Sequence, residues 1–201
     1  LRIMDSVMEP VSLELLNPPM AEQLTGISGY VLAVSFEDSV KAVAAQVEGI
    51  RSLLSSLREA KSLYDREAEE WWQKFANFGD YPFVLKVGSR MTDVISVMEE
   101  AERTAGELGL SVYCHGGTGL GISKIYIEER DERRFLLFLE TMREFMGKRE
   151  GYVIVEKAPY ATRRKTNVWG SKPPYFALFE GIKNKFDPNN VLNPGRFVGG
   201  I

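Results

Sequence analysis

The histidine at position 115 is the one imidazole in the sequence and the first candidate for acid–base chemistry. An imidazole exchanges its proton near neutral pH, and the oxidation of an alcohol needs one base to take the hydroxyl proton. If His115 lies on a strand, Tyr113 shares its face of the sheet, so both side chains can border one pocket as catalytic residues. The alternative is a strand histidine satisfied by a neighbour, since the sequence identifies no carboxylate that would orient the ring.

Three arginines are candidates for binding a carboxylate substrate. Arginine grips a carboxylate with two parallel hydrogen bonds, which makes it better suited to this task than lysine. Arg163 and Arg164 belong to a basic stretch, residues 157–172, that contains no acidic side chain, and Arg90 follows a predicted strand. The alternative is that these arginines are solvated, or that the stretch meets an acidic partner.

The residues that usually bind metals and phosphates are poorly placed for either task. Cys114 is the single cysteine and is adjacent to His115, so on a strand the two side chains point to opposite faces and cannot grip one ion. We therefore expect no metal site. The glycine-rich stretch 116–121 lies between two predicted strands, whereas a phosphate loop must open a helix. It is better explained as a hairpin turn.

The composition is that of one soluble domain. The chain has 201 residues, a hydrophobic fraction of 44% and a formal net charge of −3, which is too close to neutral to favour nucleic-acid binding. No apolar run approaches the roughly 18 residues that a membrane-spanning helix needs. A lone cysteine fits a reducing compartment, so we expect a cytoplasmic protein. The start Leu1–Ser6 resembles an internal segment, so we also expect a longer parent chain.

The elements that must position these residues follow from hydrophobic periodicity. Residues 31–36 are a short apolar, β-prone run, and apolar residues recur every three or four positions along residues 40–57. We also predict strands at 12–16 and 29–36 and helices at 38–63, 65–78 and 176–186. The remaining pattern is strand 83–87, helix 92–108, strand 111–115, strand 121–127, helix 130–147 and strand 152–156. This βαββαβ order predicts an α+β fold with a ferredoxin-like core, in which helices cover an extended antiparallel sheet.

The C-terminal residues 176–196, FALFEGIKNKFDPNNVLNPGR, resemble the ending of FAD-linked oxidases of the vanillyl-alcohol-oxidase type. In that group a helix with a lysine leads into FDP, a short spacer, LNPG and a basic residue. Residues 12–17, and residues 151–158 with 168–170, resemble the FAD-binding subunit of bacterial glycolate oxidase. Turn chemistry alone requires only that the chain leave its last helix and make two tight bends.

The resemblance implies that residues 1–201 are a C-terminal cap domain, with an FAD-binding domain upstream. The cofactor would be FAD, and Asn193, Gly195 and Arg196 would lie near it. The substrate would be a small 2-hydroxy carboxylate such as glycolate, whose hydride passes to the flavin, and the isolated chain would be inactive. Other oxidase subunits, including an iron–sulfur subunit, would be partners, with any membrane association arising through that complex. An apolar face left by the missing domain would also allow a homodimer.

One departure from the family concerns the active site. The catalytic 2-hydroxy-acid dehydrogenases of this group carry a His-Gly-Glu motif with further histidines, whereas here Gly117 stands where that motif has its glutamate, two residues after His115. This favours an accessory subunit over a self-sufficient dehydrogenase. Two alternatives stay open: an active flavoenzyme with another substrate class, and a non-catalytic ferredoxin-like binding or assembly module.

Overall fold

The sheet of the protein has six strands, each antiparallel to its neighbours. The computed structural model describes residues 2–55 and 60–201. The order across the sheet is β2-β1-β4-β5-β3-β6. The strands are β1 (Ser12–Leu16), β2 (Val31–Ser35), β3 (Phe83–Gly88), β4 (Val112–Gly117), β5 (Ile122–Ile127) and β6 (Tyr152–Lys157).

Seven α-helices accompany the sheet in the described residues. They are α1 (Pro18–Thr25), α2 (Val40–Leu53), α3 (Asp65–Ala76), α4 (Val94–Leu108), α5 (Glu132–Gly147), α6 (Tyr160–Arg163) and α7 (Phe176–Phe186). Strands β3 to β6 with α4 and α5 form the βαββαβ core, and their order β4-β5-β3-β6 is that of a ferredoxin-like sheet. The predicted fold class is therefore confirmed, with β1 and β2 extending the sheet beyond β4.

The main core lies between the sheet and the pair α4 and α5. Alternation along β3 points Phe83, Leu85 and Val87 to this face, where all three are buried. The rings of Phe83 and Phe135 stack with their centres 3.9 Å apart, which joins β3 to α5. Cys114 is fully buried on the same face. Because neighbouring residues of a strand face opposite ways, His115 lies on the other face of β4.

That other face is covered in part by α1 and by the α3 segment. Leu16, Met20, Ala21 and Phe78 form its buried cluster. Helix α1 was not predicted from the sequence, because two consecutive prolines interrupt the apolar pattern. Its start is nevertheless encoded locally. Asn17 accepts a hydrogen bond from the Met20 amide at 3.3 Å. The prolines occupy the first positions of the helix, where a backbone N–H would have no partner within the helix, so its absence costs nothing.

The long helix predicted over residues 38–63 is shorter in the structure. Helix α2 begins at Val40 and ends at Leu53, and residues 60–63 are not helical. The part of the prediction at residues 56–59 lies outside the described residues. Leu54 leaves helical geometry with φ −109° and ψ 29°, which ends the helix one residue after Leu53. Across the described chain, no helix is both long and apolar enough to cross a bilayer.

Candidate functional site

One transverse row of the sheet places His115 beside two lysines. Leu16, His115, Lys124, Lys86 and Ile154 are consecutive in-register partners on β1, β4, β5, β3 and β6. Residues directly opposite each other in an antiparallel pair share a face, so all five side chains lie on the face away from α4 and α5. Neighbouring strands are about 4.8 Å apart, which puts the Lys86 position roughly 10 Å from His115.

Both ring nitrogens of His115 have partners. Nδ1 lies 2.9 Å from Glu14 Oε2, and Nε2 lies 3.3 Å from the Tyr126 hydroxyl. The Phe75 ring of α3 covers the imidazole edge-on at 4.7 Å between centres, and only 12% of the His115 side chain is exposed. The structure therefore supplies the orienting carboxylate that the sequence did not reveal. It also fits the alternative of a histidine satisfied by its neighbours.

The glycines after His115 make room on both faces of β4. A Cβ on Gly117 would lie 3.2 Å from Glu14 Oε1, so the absent side chain lets Glu14 lie across β4 towards His115. A Cβ on Gly116 would lie 2.4 Å from a methyl group of Val94 in the core. The β4 and β5 strands then join through a tight turn, as predicted. The stretch thus forms a hairpin, and it opens no helix that could cradle a phosphate.

Two lysines and two glutamates share this face of the sheet: Lys86 and Lys124, with Glu14 beside His115 and Glu156 beside Lys124. Lys86 and Lys124 are directly opposite each other, an arrangement of like charges that costs stability unless it is compensated. Lys124 pairs with Glu156 at 3.0 Å, whereas no carboxylate in the described residues lies within 4.0 Å of the Lys86 ammonium group. A half-buried cation of this kind favours binding of a small anion.

Tyrosine hydroxyls border the same face. The aromatic cluster joins Tyr113, Tyr126, Tyr81 and Phe78, with ring centres 5.2 to 5.6 Å apart. Burial raises the pKa of Tyr126 to about 12, and the nearby Glu156 carboxylate adds to the effect. Burial also raises the pKa of Tyr113 above its ordinary value. Both phenols therefore stay protonated at neutral pH and can donate hydrogen bonds. The expected common face of Tyr113 and His115 is confirmed.

The three candidate arginines lie at opposite ends of the sheet. Arg90 follows the Gly88 end of β3 and pairs with Glu150 at 2.7 Å on the exposed surface. Arg163 and Arg164 follow the end of β6, which lies at the opposite edge of the sheet because β6 runs antiparallel to β3. Their guanidinium groups lie 6.0 and 5.9 Å from the Tyr160 ring centre. The structure does not bring these arginines together, and none makes a hydrogen bond to His115.

The C-terminal motif is organised by a buried carboxylate. Asp187 accepts hydrogen bonds from the backbone amides of Val191 and Leu192 at 2.8 and 2.9 Å. Lys183, four residues earlier on α7, donates to the same carboxylate at 2.5 Å and to the Leu192 carbonyl at 2.9 Å. The hydrogen bond from Lys183 lowers the pKa of Asp187. These contacts give Lys183 and Asp187 a structural role, because they close the turn after the helix.

The predicted cofactor-binding residues follow that turn and are exposed. Asn193 and Gly195 both adopt left-handed backbone angles, with φ of 47° and 73°. The Arg196 carbonyl accepts a hydrogen bond from the Trp169 indole at 3.2 Å, which holds the segment against the loop after β6. This loop in turn lies along β6, since the Val155 amide donates to the carbonyl of Val168 at 2.8 Å. The three residues thus form an exposed segment that is held against the loop after β6.

Sequence reasoning missed four polar residues of this face: Glu14, Lys86, Lys124 and Tyr126. A signal for the lysines existed, because each interrupts an apolar strand in FVLKVG and ISKIYI. Within residues 2–55 and 60–201, no group of three His, Cys, Asp or Glu side chains could hold a metal ion. No protein-family model matches the chain, and a search of curated proteins gives no significant match.

Proposed function

We propose that this chain is the cap domain of a FAD-dependent oxidoreductase and that it binds a small 2-hydroxy acid against the sheet face of His115. The observation that carries the proposal is the in-register row that places His115, Lys124 and Lys86 side by side. Because neighbouring strands are about 4.8 Å apart, an imidazole and a lysine that extend from adjacent strands suit a ligand whose hydroxyl and carboxylate are on adjacent carbons.

Different side chains of this face would bind the two ends of such a ligand. Lys86 and Lys124 would attract the carboxylate, since among the described residues only Glu156 lies within 4.0 Å of either ammonium group. His115 and the protonated Tyr126 are the hydrogen-bonding groups for the hydroxyl end. The flavin, when bound, would supply the redox chemistry, and the residues of this chain would orient the substrate and accept its proton.

An exposed apolar stripe supports contact with an upstream FAD-binding domain. Leu178, Ile182 and Phe186 recur along one side of α7 and are 66%, 57% and 77% exposed. Val191 and Leu192, in the turn after α7, are also exposed, at 72% and 61%, and precede the predicted cofactor-binding residues. Exposed apolar side chains grouped in this way are typical of an interface. The proposal therefore places a flavin domain against α7 and the terminal turn.

Ligand binding by the isolated chain tests the substrate site. We expect NMR shift changes on β3 and β5 when glycolate is added, and a loss of affinity of roughly tenfold in Lys86→Met, the value of one charged hydrogen bond. Lys41→Met, on the exposed start of α2, is the matched control and should bind as the original chain does. Shift changes confined to other surfaces, or equal binding by Lys86→Met, would contradict the assignment.

The flavin part needs the product of the complete gene. A yellow protein heavier than 22.7 kDa with flavin absorption is expected, while the 201-residue chain alone should bind FAD poorly because it offers only exposed edge contacts. A colourless product would favour the second candidate, a non-catalytic ferredoxin-like binding module. The satisfied and largely covered imidazole of His115 is the observation in favour of that module.

A further inference from the structure

The contacts of His115 specify where its proton lies. A carboxylate only accepts hydrogen bonds, so the Nδ1 atom next to Glu14 Oε2 must carry hydrogen. In the neutral ring, Nε2 is then an acceptor, and the Tyr126 hydroxyl donates to it. The free side chain of histidine prefers the other tautomer in water, so the protein environment must select this one. The groups around Nε2 thus determine which hydrogen-bond donor the imidazole can accept from.

Several features hold Glu14 in place for this task. It comes from β1, 101 residues before His115, and its side chain is only 16% exposed. It lies over Gly117, its in-register partner, where any side chain would crowd its carboxylate. On the far side, Lys124 is the strand neighbour of His115 and pairs with Glu156, so it does not compete for Glu14.

We propose that Glu14 is the positioning residue of His115, making Nε2 the proton-accepting atom of the site, and that the Tyr126 hydroxyl occupies this atom until a ligand hydroxyl replaces it. This inference rests on the proposed function for the identity of the ligand, a 2-hydroxy acid. The Tyr126 contact, at 3.3 Å, is longer than the Glu14 contact at 2.9 Å, so it is the one that a ligand displaces. The acid's carboxylate would then lie towards Lys124 and Lys86, the next two residues of the row.

NMR of the isolated chain tests the tautomer directly. With one histidine in the sequence, a long-range proton–nitrogen correlation spectrum shows a single imidazole. We expect the Nδ1–H pattern in the original chain and in Glu14→Gln, which keeps an acceptor oxygen, and the opposite tautomer in Glu14→Ala. An unchanged tautomer in Glu14→Ala would overturn the proposal. If Glu14→Ala does not fold, Tyr126→Phe provides the test. The Nε2 resonance should then shift while the Nδ1–H pattern persists, and an unshifted Nε2 resonance would overturn the proposal.

Binding separates this inference from the proposed function. Glu14→Ala should weaken glycolate binding roughly tenfold and leave acetate, which lacks the hydroxyl, within about twofold. Equal losses for both acids would mean that Glu14 acts on the fold rather than on the hydroxyl, which overturns the positioning role. If the original chain binds neither acid, the proposed function fails, while the tautomer measurement still decides the role of Glu14.

Discussion

Replacing Asn17 by alanine should destabilise the protein by about 3 to 5 kcal/mol. The Asn17 side chain is fully buried, and its oxygen accepts hydrogen bonds from the amides of Cys114 and Met20, at 2.9 and 3.3 Å. Its nitrogen donates to Glu102 Oε1 at 3.1 Å. Asn17 thus starts α1 and also joins β1 to β4 and α4.

The magnitude follows from what the alanine leaves behind. Loss of the helix cap costs about 1 kcal/mol. The buried Cys114 amide loses its acceptor, which costs about 1 to 3 kcal/mol, and the hydrogen bond to the Glu102 carboxylate adds about 1 kcal/mol. The site should suffer too, because β1 pairs with β4 through only three residue pairs, and that pairing carries Glu14 to His115.

Urea unfolding followed by circular dichroism measures the change in free energy of unfolding. Asn184→Ala, at an exposed position of α7, is the matched control and should change stability by less than about 0.5 kcal/mol. A loss below about 1 kcal/mol for Asn17→Ala, with an unchanged denaturant slope, would refute the reasoning. It would mean that the buried amides find other partners.

Two further outcomes follow from the covered histidine and the C-terminal turn. Phe75→Ala removes the ring that covers His115, so diethyl pyrocarbonate should modify this single histidine severalfold faster. Phe186→Ala, on the exposed side of α7, is the control and should leave the rate of modification unchanged. Equal rates in the two variants would show that Phe75 does not shield the ring. Because Lys183 lowers the pKa of Asp187, this carboxylate binds a proton less readily in the folded protein than in the unfolded chain. The ionised carboxylate therefore stabilises the fold fully above about pH 4, and this stabilisation is lost as the pH falls further. Asp187→Asn should thus lower Tm at pH 7, and the difference in Tm between this variant and the original chain should be smaller at pH 3. A difference in Tm that does not depend on pH would contradict this.

The core elements were predictable because their signals are local. Apolar spacing alone locates α4, α5 and the strands β3 to β6, since a helix must bury one stripe and a strand one face. The hairpin after His115 follows from its glycines in the same way. Helix α1 was missed although Asn17 and the prolines that follow it are a local start signal, because its apolar stripe is too short to show a period.

The sequence by itself determined the βαββαβ order and the common face of Tyr113 and His115. Only the tertiary structure decided which side chains meet across the sheet, because register depends on contacts between segments far apart in the chain. Glu14 reaches His115 from 101 residues away, and the opposition of Lys86 to Lys124 depends on how β3 pairs with β5. The separation of Arg90 from Arg163 has the same origin: antiparallel pairing of β3 and β6 sends the chain out at opposite ends.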